Sequence, residues 1–413
     1  MRSARMIKMA LCLAVTGAAL RAQAVEPAIS GVTVRQCWPW SRHVNIDYVL
    51  ECDEEVDVAV SAFNGPTPLP LPLHSLSGDI FTVAAGTRRI VWDPTVTAYT
   101  NTQMLTKFRV ELTPAPVPLY LIIDLTDLRE GVPAPVEHVY ETDLVTNKWG
   151  SWERDPVTNR GVAVESVIWT GVTNGTVYKT DKLVMRRVRA GDFKKGDSLV
   201  LTDMDQEYYI SVFELTAAQW DRIMGGTSSS MLPKAVSYNN ARGAVDDDPP
   251  VDWPDTGTYV SPGSFVERFR ALTGIPWADL PTGDQFEYAQ RAGTDTVYHD
   301  GTANVYYNTT GTLHEDNNGY TNQFLKPLGW YLYDDGTLHP VGEKRANAWG
   351  LYDTQGNMQE WCINWYKTGT NRRKASGKYN LAASHARSGC FLGGTPSSSS
   401  GLGLRLIINL PSE

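Results

Sequence analysis

The order of hydrophobic and polar residues divides the chain into a strand-rich N-terminal part and a mixed C-terminal part. Between residues 28 and 115, apolar and polar positions alternate in short runs that are separated by turn-forming residues. Alternation with a period of two places the apolar side chains on one face of a β-strand, and no helical period competes with it here. These residues therefore predict an all-β sandwich.

The predicted sandwich is of the immunoglobulin-like type, because its strands are short and compact turns such as Asn64-Gly-Pro66 separate them. The proline-rich run 114–118 ends the sandwich and predicts an extended linker. Residues 116–177 form a connector with two strand-like runs, 120–125 and 162–169, around a polar middle. We expect the sandwich to serve for spacing or docking.

Three helices are predicted after residue 178, each beginning at a hydroxyl residue with Glu or Gln three positions later. Such pairs are typical of capping boxes, in which side chains accept hydrogen bonds from the first backbone N–H groups of a helix. Strands and helices do not alternate regularly, which favours an α+β domain over a βαβ array. The predicted helices start at Thr216 with Gln219, Ser264 with Glu267, and Thr282 with Gln285, and they stop at Gly225, Gly274 and Gly293.

The first 24 residues predict a cleavable export signal. Basic residues between Arg2 and Lys8 precede an apolar run from residue 9 to residue 20, and residues 22–24 fit the small-x-small cleavage rule. The run is too short to span a bilayer, although an N-terminal membrane anchor is the alternative. We expect cleavage after Ala24 and a mature chain that is secreted, periplasmic or on the cell surface, without a transmembrane segment.

The balance of charges argues against nucleic acid as a partner. The chain has 37 Lys and Arg against 46 Asp and Glu, a net charge of -9, and no long basic run. Proteins bind phosphate backbones through concentrated basic surfaces, which this sequence does not predict.

Four cysteines follow the signal and fall in two separated pairs, Cys37 with Cys52 and Cys362 with Cys390. An even number in an oxidising compartment is typical of disulfides, and proximity along the chain favours these pairings among three possible connectivities. Buried free thiols are the alternative. The sequence has no Cys-x-x-Cys and no His/Cys cluster with zinc spacing.

Residues 347–362 concentrate candidate metal ligands. The spacing of Asp353, Gly356, Met358 and Glu360 can aim two carboxylates and two backbone carbonyls at one point. Oxygen donors that converge on a glycine-containing turn are what Ca²⁺ requires. On spacing alone, a buried aromatic turn with solvated carboxylates is the competing interpretation.

The same segment resembles the signature of the sulfatase-modifying-factor family, which includes the formylglycine-generating enzymes. Asn347-Ala-Trp-Gly-Leu-Tyr-Asp353 and Gly356-Asn-Met-Gln-Glu-Trp-Cys362 are similar to the family pattern N-x-[WFY]-G-L-x-[DN]-x-x-G-N-[VA]-W-E-W, with a departure at Gln359. In the family, the residues at the four candidate positions hold a structural calcium ion. The resemblance therefore implies the same role for them here.

Further motifs extend the resemblance over roughly residues 178–411. Residues 213–220, FELTAAQW, are similar to the family element [VY]-E-V-T-x-x-x-[WFY], and residues 280–289, LPTGDQFEYA, are similar to L-P-T-E-A-E-W-E-Y-A. For a domain spanning 178–413, the resemblance implies the formylglycine-generating-enzyme type of the C-type-lectin-like fold, which is α+β, irregular and supported by calcium.

The resemblance also implies a second calcium site. Ala303-Asn304-Val305 fits the A-N-[IV] element of that site, which adds Asn304 and Val305 as candidate ligands. The second element of the site stays open between residues 318–320 and residues 335–337.

The copper site of the family's oxidase branch is not expected in this chain. That branch binds Cu(I) through two cysteines five positions apart, and soft thiolates suit that ion. The matching positions here are Gly393 and Ser398, neither of which offers a thiolate. The segment before Gly401-Leu-Gly-Leu-Arg405 is also shorter than in the family, and Cys390 is a single thiol.

The sequence predicts no other catalytic constellation. Its seven histidines form no iron-binding array, and serines 397–400 lie among glycine and proline, as in a flexible loop. We expect an exported, calcium-stabilised module that binds a peptide, glycan or protein partner. The alternative is an oxidoreductase of the family that converts a substrate cysteine to formylglycine or performs related chemistry.

Overall fold

The computed structural model describes residues 26–410, except for residues 54, 70–75, 81–82, 95–105, 116, 130–132, 141–146, 155–160, 169–171, 173–174, 205, 244–259, 300–324 and 368–369. For residues 147–154 and 161–168 it describes the backbone alone. Within this part of the chain, no helix is long and apolar enough to cross a membrane.

The N-terminal region folds into two antiparallel sheets that share one apolar core. Its strands are β1 Ala28–Gln36, β2 Val44–Glu51, β3 Asp57–Asn64, β4 Thr67–Leu69, β5 Leu76–Gly78, β6 Gly86–Trp92 and β7 Phe108–Ala115. The sheet orders are β1-β2-β6-β5 and β4-β3-β7. In β2, four buried apolar residues alternate with more exposed ones, which is the pattern that predicted strands here. Strand β1 lies at a sheet edge instead, and its Val32 and Val34 are exposed.

The predicted disulfides are wrong, since all four cysteines are free thiols. In the β1–β2 hairpin, Gln36 pairs with Val44 and Ala28 pairs with Glu51, so Cys37 and Cys52 lie at opposite ends. Eight residues of strand separate these ends by roughly 25 Å. A disulfide requires Cα atoms within about 7 Å of each other, so chain proximity gave a false pairing.

The remaining strands extend from residue 120 to residue 409. They are β8 Tyr120–Asp124, β9 Val136–Val139, β10 Asn147–Arg154, β11 Gly161–Ile168, β12 Lys182–Val188, β13 Gly191–Lys195, β14 Val200–Met204, β15 Tyr208–Ser211, β16 Ala278–Asp279, β17 Gln359–Lys367, β18 Asn371–Ala375, β19 Leu392–Gly394, β20 Leu402–Gly403 and β21 Ile407–Asn409. The helices are α1 Val177–Thr180, α2 Ala217–Met224, α3 Tyr238–Ala241, α4 Phe265–Thr273 and α5 Gly283–Arg291, with a 3-10 turn at Ala383–Ala386.

A sheet with the order β16-β21-β15-β12-β8-β9 forms the middle layer of the C-terminal region. Successive residues of β12 point to opposite faces, so Leu183 and Met185 join one apolar cluster while Val184 and Val188 join another. Helices α2 and α4 contribute to the first cluster, and α5 contributes to the second. The sheet is therefore buried on both faces. This mixed α+β architecture matches the predicted class.

The helix starts follow the predicted caps, with two differences. Thr216 and Thr282 each form a complete capping box with the residue three positions later. Ser264 also caps its helix, but the Glu267 carboxylate accepts from the N–H of Gly263 instead of completing the box. The left-handed residue that ends α5 is Ala292, one position before the predicted Gly293.

Candidate functional site

The loop that precedes β17 is organised by the buried side chain of Asn347. Its Oδ1 accepts hydrogen bonds from the backbone N–H groups of Trp349 and Leu351, both at 3.0 Å. Its Nδ2 donates to the carbonyl of Ala289 in α5 at 2.7 Å. One amide thus fixes the turn and also docks the loop on the helix, which explains the need for asparagine at this position.

Glycine at position 356 is required by a close backbone approach. Gly356 has a φ of +98°, and a Cβ there would overlap the carbonyl oxygen of Trp330. Its carbonyl, one of the predicted calcium ligands, accepts from the hydroxyl of Ser376 at 3.1 Å. Asp353 and Asn357 also adopt left-handed conformations, each with a φ of 54°. The loop therefore turns sharply on both sides of this glycine.

Glu360 is paired inside the protein with Arg405. The Nε and Nη2 atoms of Arg405 donate to the two carboxylate oxygens of Glu360, both at 3.0 Å, and both side chains are fully buried. Arg405 also donates to backbone carbonyls of three other residues, which uses the whole guanidinium fork. These carbonyls belong to Ser211, Val212 and Tyr352.

Asp353 lies close to this pair and is also buried. Its Oδ2 accepts from the N–H of Gly342 at 2.6 Å, while its Oδ1 is buried without a hydrogen-bond partner. Burial raises the pKa of Asp353 to about 6, although the hydrogen bond from Gly342 and the charge of Arg405 both act to lower it. The idea of solvated carboxylates in this loop is therefore wrong.

A third interior carboxylate, Glu214, was not among the predicted site residues. It accepts from Nδ2 of Asn357 at 2.7 Å and from the N–H of Met358 at 2.9 Å. Burial raises its pKa well above the usual value, and the negative charges of Asp353 and Glu360 raise it further. The motif FELT contained Glu214, but nothing in the sequence related that glutamate to a loop more than a hundred residues away.

These residues fit a hard cation only in part. The free Oδ1 of Asp353 is suited to Ca²⁺, but both oxygens of Glu360 are occupied by Arg405, which a calcium ion would have to displace. Among the described residues, no group of three or more His, Cys, Asp or Glu side chains is placed to hold a metal. The calcium role of Asp353, Gly356, Met358 and Glu360 stays a prediction. Asn304 and Val305 lie outside the described residues, as do residues 318–320.

The two positions matched to copper ligands lie at a sheet edge and in the following loop. Gly393 belongs to β19, and a Cβ there would lie 2.6 Å from the ring of Tyr366. Ser398 lies in a turn, where its N–H donates to the carbonyl of Thr395 at 2.9 Å. The nearby thiols of Cys362 and Cys390 are buried, and burial raises the pKa of each. Neither thiol is therefore poised as a thiolate.

Aromatic and cationic side chains pack together around β17 near these positions, and most of them are buried. The guanidinium of Arg372 lies 3.4 Å from the ring centroid of Trp365 and 4.7 Å from that of Tyr238. Tyr366 follows on β17 and is 52% exposed. Elsewhere in the domain, the ring of Trp330 lies between His339 and the ammonium of Lys344, at 3.5 Å from each.

Comparisons with known proteins place this site in a family context. A family model described as "Sulfatase-modifying factor enzyme 1-like domain" matches residues 174–410. The "Chaperone protein LppX" of Paenibacillus barcinonensis is 28% identical over 227 residues, which is 47% of this chain and 75% of that protein. Among solved structures, "Treponema denticola variable protein 1" aligns with a TM-score of 0.42 and 18% identity, over 55% of this chain and 96% of that chain.

Proposed function

Because the chain belongs to the sulfatase-modifying-factor family through residues 174–410, we propose that it uses this domain for binding and lacks the family's copper oxidase chemistry. The proposal places the protein outside the cytoplasm and gives its domain the C-type-lectin-like fold. A protein is the first partner class to test, since the relative is named a chaperone. Calcium remains a proposed structural ion.

The observation that carries this proposal is the packing at Gly393. The ring of Tyr366 fills the space that a Cβ at this position would need, so a cysteine there would have to move the ring. The second matched position, Ser398, lies in a turn of the following loop. Neither matched position carries a thiol, and the thiols of Cys362 and Cys390 are buried with raised pKa values, which supports the proposed absence of copper chemistry.

The decisive experiment offers Cu(I), O₂ and a cysteine-containing peptide to the purified full chain. We expect no conversion of cysteine to formylglycine by mass spectrometry. We also expect no stoichiometric copper after removal of excess metal. Copper-dependent turnover would refute the proposal, and its loss in Cys390→Ser would identify that thiol as the reactive group.

Elemental analysis of the same preparation tests the proposed calcium. One or two calcium ions per chain that survive dialysis would support a structural ion. Loss of one ion in Asp353→Asn, with retention in Asp127→Asn, would place that ion at the loop before β17, since Asp127 is an exposed residue outside both candidate sites. A chain without calcium after calcium loading would contradict a structural ion in this loop.

Binding of protein partners can be tested at the exposed ring of Tyr366. We expect the chain to reduce light scattering when a denatured test protein is diluted into buffer. Tyr366→Ser should weaken this effect, because it removes a half-exposed aromatic ring that packs against Gly393. Leu201→Ser is the matched control, since Leu201 is 67% exposed on a different hairpin. Equal effects of the two substitutions would contradict a role for the Tyr366 ring.

A further inference from the structure

The loop between β1 and β2 projects two tryptophans into solvent. Trp40 is 91% exposed and Trp38 is 38% exposed. Neither ring contacts another ring or a cation among the described residues. The loop itself is held closed, because the N–H of Cys37 donates to the carbonyl of His43 at 2.9 Å and the N–H of Ser41 donates to the carbonyl of Cys37 at 3.1 Å. A fixed turn therefore displays both rings.

Two tryptophans exposed on one short loop mark a surface that another molecule covers. Of the tryptophans whose side chains the structure describes, no other is exposed to this extent. An indole ring combines a large apolar surface with one N–H donor. It is therefore favoured where an apolar medium meets a wet one, as at the headgroup level of a membrane.

The same loop is flanked by two unpaired cations. Arg35 ends the exposed part of β1, and Arg42 lies directly after the tryptophans; both are exposed. Within the described part of the chain, neither guanidinium has a carboxylate partner. Asp93, at the end of β6, lies 3.4 Å from the imidazole of His43 instead. The tip of this hairpin is therefore positive, although the whole chain has a net charge of -9.

The tip lies at the end of the sandwich that is remote from the C-terminal region. Val44, the first residue of β2 after the loop, pairs with Trp92, whose ring stacks on Phe108 at 5.4 Å. Strand β7 runs from Phe108 to Ala115, close to where β8 begins at Tyr120. Eight residues of strand place the tip roughly 25 Å from this junction. The tryptophans can therefore meet a flat surface without obstruction from the C-terminal sheet.

The opposite end of the sandwich is acidic. Glu51 ends β2, and Asp53 and Glu55 follow in the turn before β3; all three are exposed. The sandwich thus has a positive aromatic end and a negative end. Such a separation of charge would orient the tip towards a negatively charged surface.

We propose that the loop between β1 and β2 docks the protein on an anionic phospholipid surface, with Trp38 and Trp40 in the interfacial layer and Arg35 and Arg42 at the lipid phosphates. Apolar contact and attraction to anionic lipids together give this kind of surface binding. A sugar would need neutral polar side chains beside the rings. Residues 38–42 offer only Ser41, whose hydroxyl already accepts from the N–H of His43 at 3.1 Å.

The inference goes beyond the proposed function and does not rest on it, because it concerns the sandwich and not the domain of residues 174–410. The test is co-sedimentation with vesicles made of phosphatidylglycerol and phosphatidylcholine in equal parts. Vesicles of phosphatidylcholine alone serve for comparison. All proteins begin at Val25, because the apolar run of residues 9–20 would itself bind vesicles. We expect binding to the anionic vesicles, and weaker binding to the neutral ones. Equal binding to both would overturn the proposal.

Two double substitutions separate the apolar and ionic contributions. Trp38→Ser/Trp40→Ser should weaken binding by at least about tenfold, because both indole rings leave the interface. Arg35→Gln/Arg42→Gln should weaken it by about fivefold for each arginine removed, as is typical of a basic residue near an anionic surface. Undiminished binding by the tryptophan variant would overturn the proposal and leave the rings to a glycan or a protein partner.

The matched controls remove similar groups from other parts of the chain. Val200→Ser/Leu201→Ser removes two apolar side chains that are 60% and 67% exposed on β14. Lys194→Gln/Lys367→Gln makes the same change in net charge as the arginine variant. Both controls should bind as the natural chain does. A loss in a control as large as in its partner variant would show nonspecific adsorption and overturn the proposal.

A second measurement asks whether the rings enter the lipid. Anionic vesicles with brominated acyl chains should quench the tryptophan fluorescence of the natural chain more than that of Trp38→Ser/Trp40→Ser. Equal quenching of the two proteins would overturn the proposal. Neither result affects the peptide-turnover test of the proposed function, which does not involve the sandwich.

Discussion

A single arginine lies at the centre of the buried carboxylates around the loop before β17. Arg405 faces Glu360 directly, and its charge also lowers the pKa values of Asp353 and Glu214, which burial raises. Removing one partner of a buried pair leaves an unsatisfied charge in a medium that solvates it poorly. Arg405 is therefore a stability determinant, although the loop it faces carries the family signature.

We predict that Arg405→Met lowers the free energy of unfolding by about 3–5 kcal/mol, as is typical for breaking a buried ion pair. Arg405→Lys should also destabilise the domain, because an ammonium cannot reproduce the bidentate contact. Urea denaturation followed by tryptophan fluorescence measures both. Arg129→Met, which breaks an exposed pair with Asp127, is the control and should leave the midpoint nearly unchanged. A midpoint for Arg405→Met equal to that of the control would contradict the prediction.

The pH dependence of stability should depend on His299. Burial, and secondarily the charge of Arg345, lowers its pKa from 6.5 to about 3. Between these values the unfolded chain binds a proton that the folded chain does not, so stability rises with pH and is lost as the pH falls below 6.5. Between pH 6.5 and pH 5 the loss should be about 2 kcal/mol, at about 1.4 kcal/mol per unit.

The measurement is the urea midpoint of the natural chain and of His299→Gln across this pH range. The substitution should remove the contribution of His299, since glutamine does not titrate, and leave the opposite contribution of Asp353, whose raised pKa makes stability grow as the pH falls through this range. His385→Gln, at a half-buried histidine in the same domain, should retain the contribution of His299. An unchanged slope in His299→Gln would show that another group dominates acid unfolding.

At the scale of elements, the N-terminal caps of the helices test whether a short sequence motif contributes to the free energy of unfolding. Thr282 accepts from the N–H of Gln285 at 3.1 Å, and the Gln285 side chain accepts from the N–H of Thr282 at 2.9 Å. Thr282→Ala should cost about 1 kcal/mol, because the hydroxyl cap is lost. Thr282→Ser keeps the hydroxyl and should cost much less. Chemical denaturation measures the free energy of unfolding of both variants. Equal losses would mean that the threonine methyl group, and not the hydroxyl cap, stabilises α5.

Such caps were predictable from the sequence because a capping box joins residues three positions apart. Contacts between residues that lie far apart in the sequence were not predictable. The loop of residues 347–362 revealed Asp353 and Glu360, but Arg405 lies 45 residues beyond Glu360, and Glu214 lies 144 residues before Met358. No local pattern marks those partners. The same limit explains the false cysteine pairing, which assumed that neighbours in sequence are neighbours in space.

At the scale of the whole molecule, the sheet extends beyond the segment that resembles the family. Strand β8 pairs with β12 over five residues, and its Ile122 and Ile123 are buried on opposite faces. Strand β9 then pairs with β8 at the sheet edge. The hydroxyl of Tyr209 also donates to the carbonyl of Pro118 at 2.6 Å. Strands β8 and β9 are thus integral to this sheet.

We predict that a fragment spanning residues 117–413 folds cooperatively, whereas one spanning 178–413 is much less stable or insoluble. The shorter fragment loses two strands and exposes the edge of β12. Each fully buried isoleucine that it loses contributes about 1.5–3 kcal/mol. Soluble yield and the urea midpoint compare the two fragments. Equal stability of the two fragments would show that β8 and β9 contribute little to the stability of the sheet.

The position of β21 has a consequence for the order of folding during synthesis. This strand lies between β15 and β16, and β15 precedes it by about two hundred residues in sequence. Contacts between residues so far apart form slowly, because a long loop must close first. A nascent chain would therefore display an incomplete central sheet until residues 407–409 leave the ribosome.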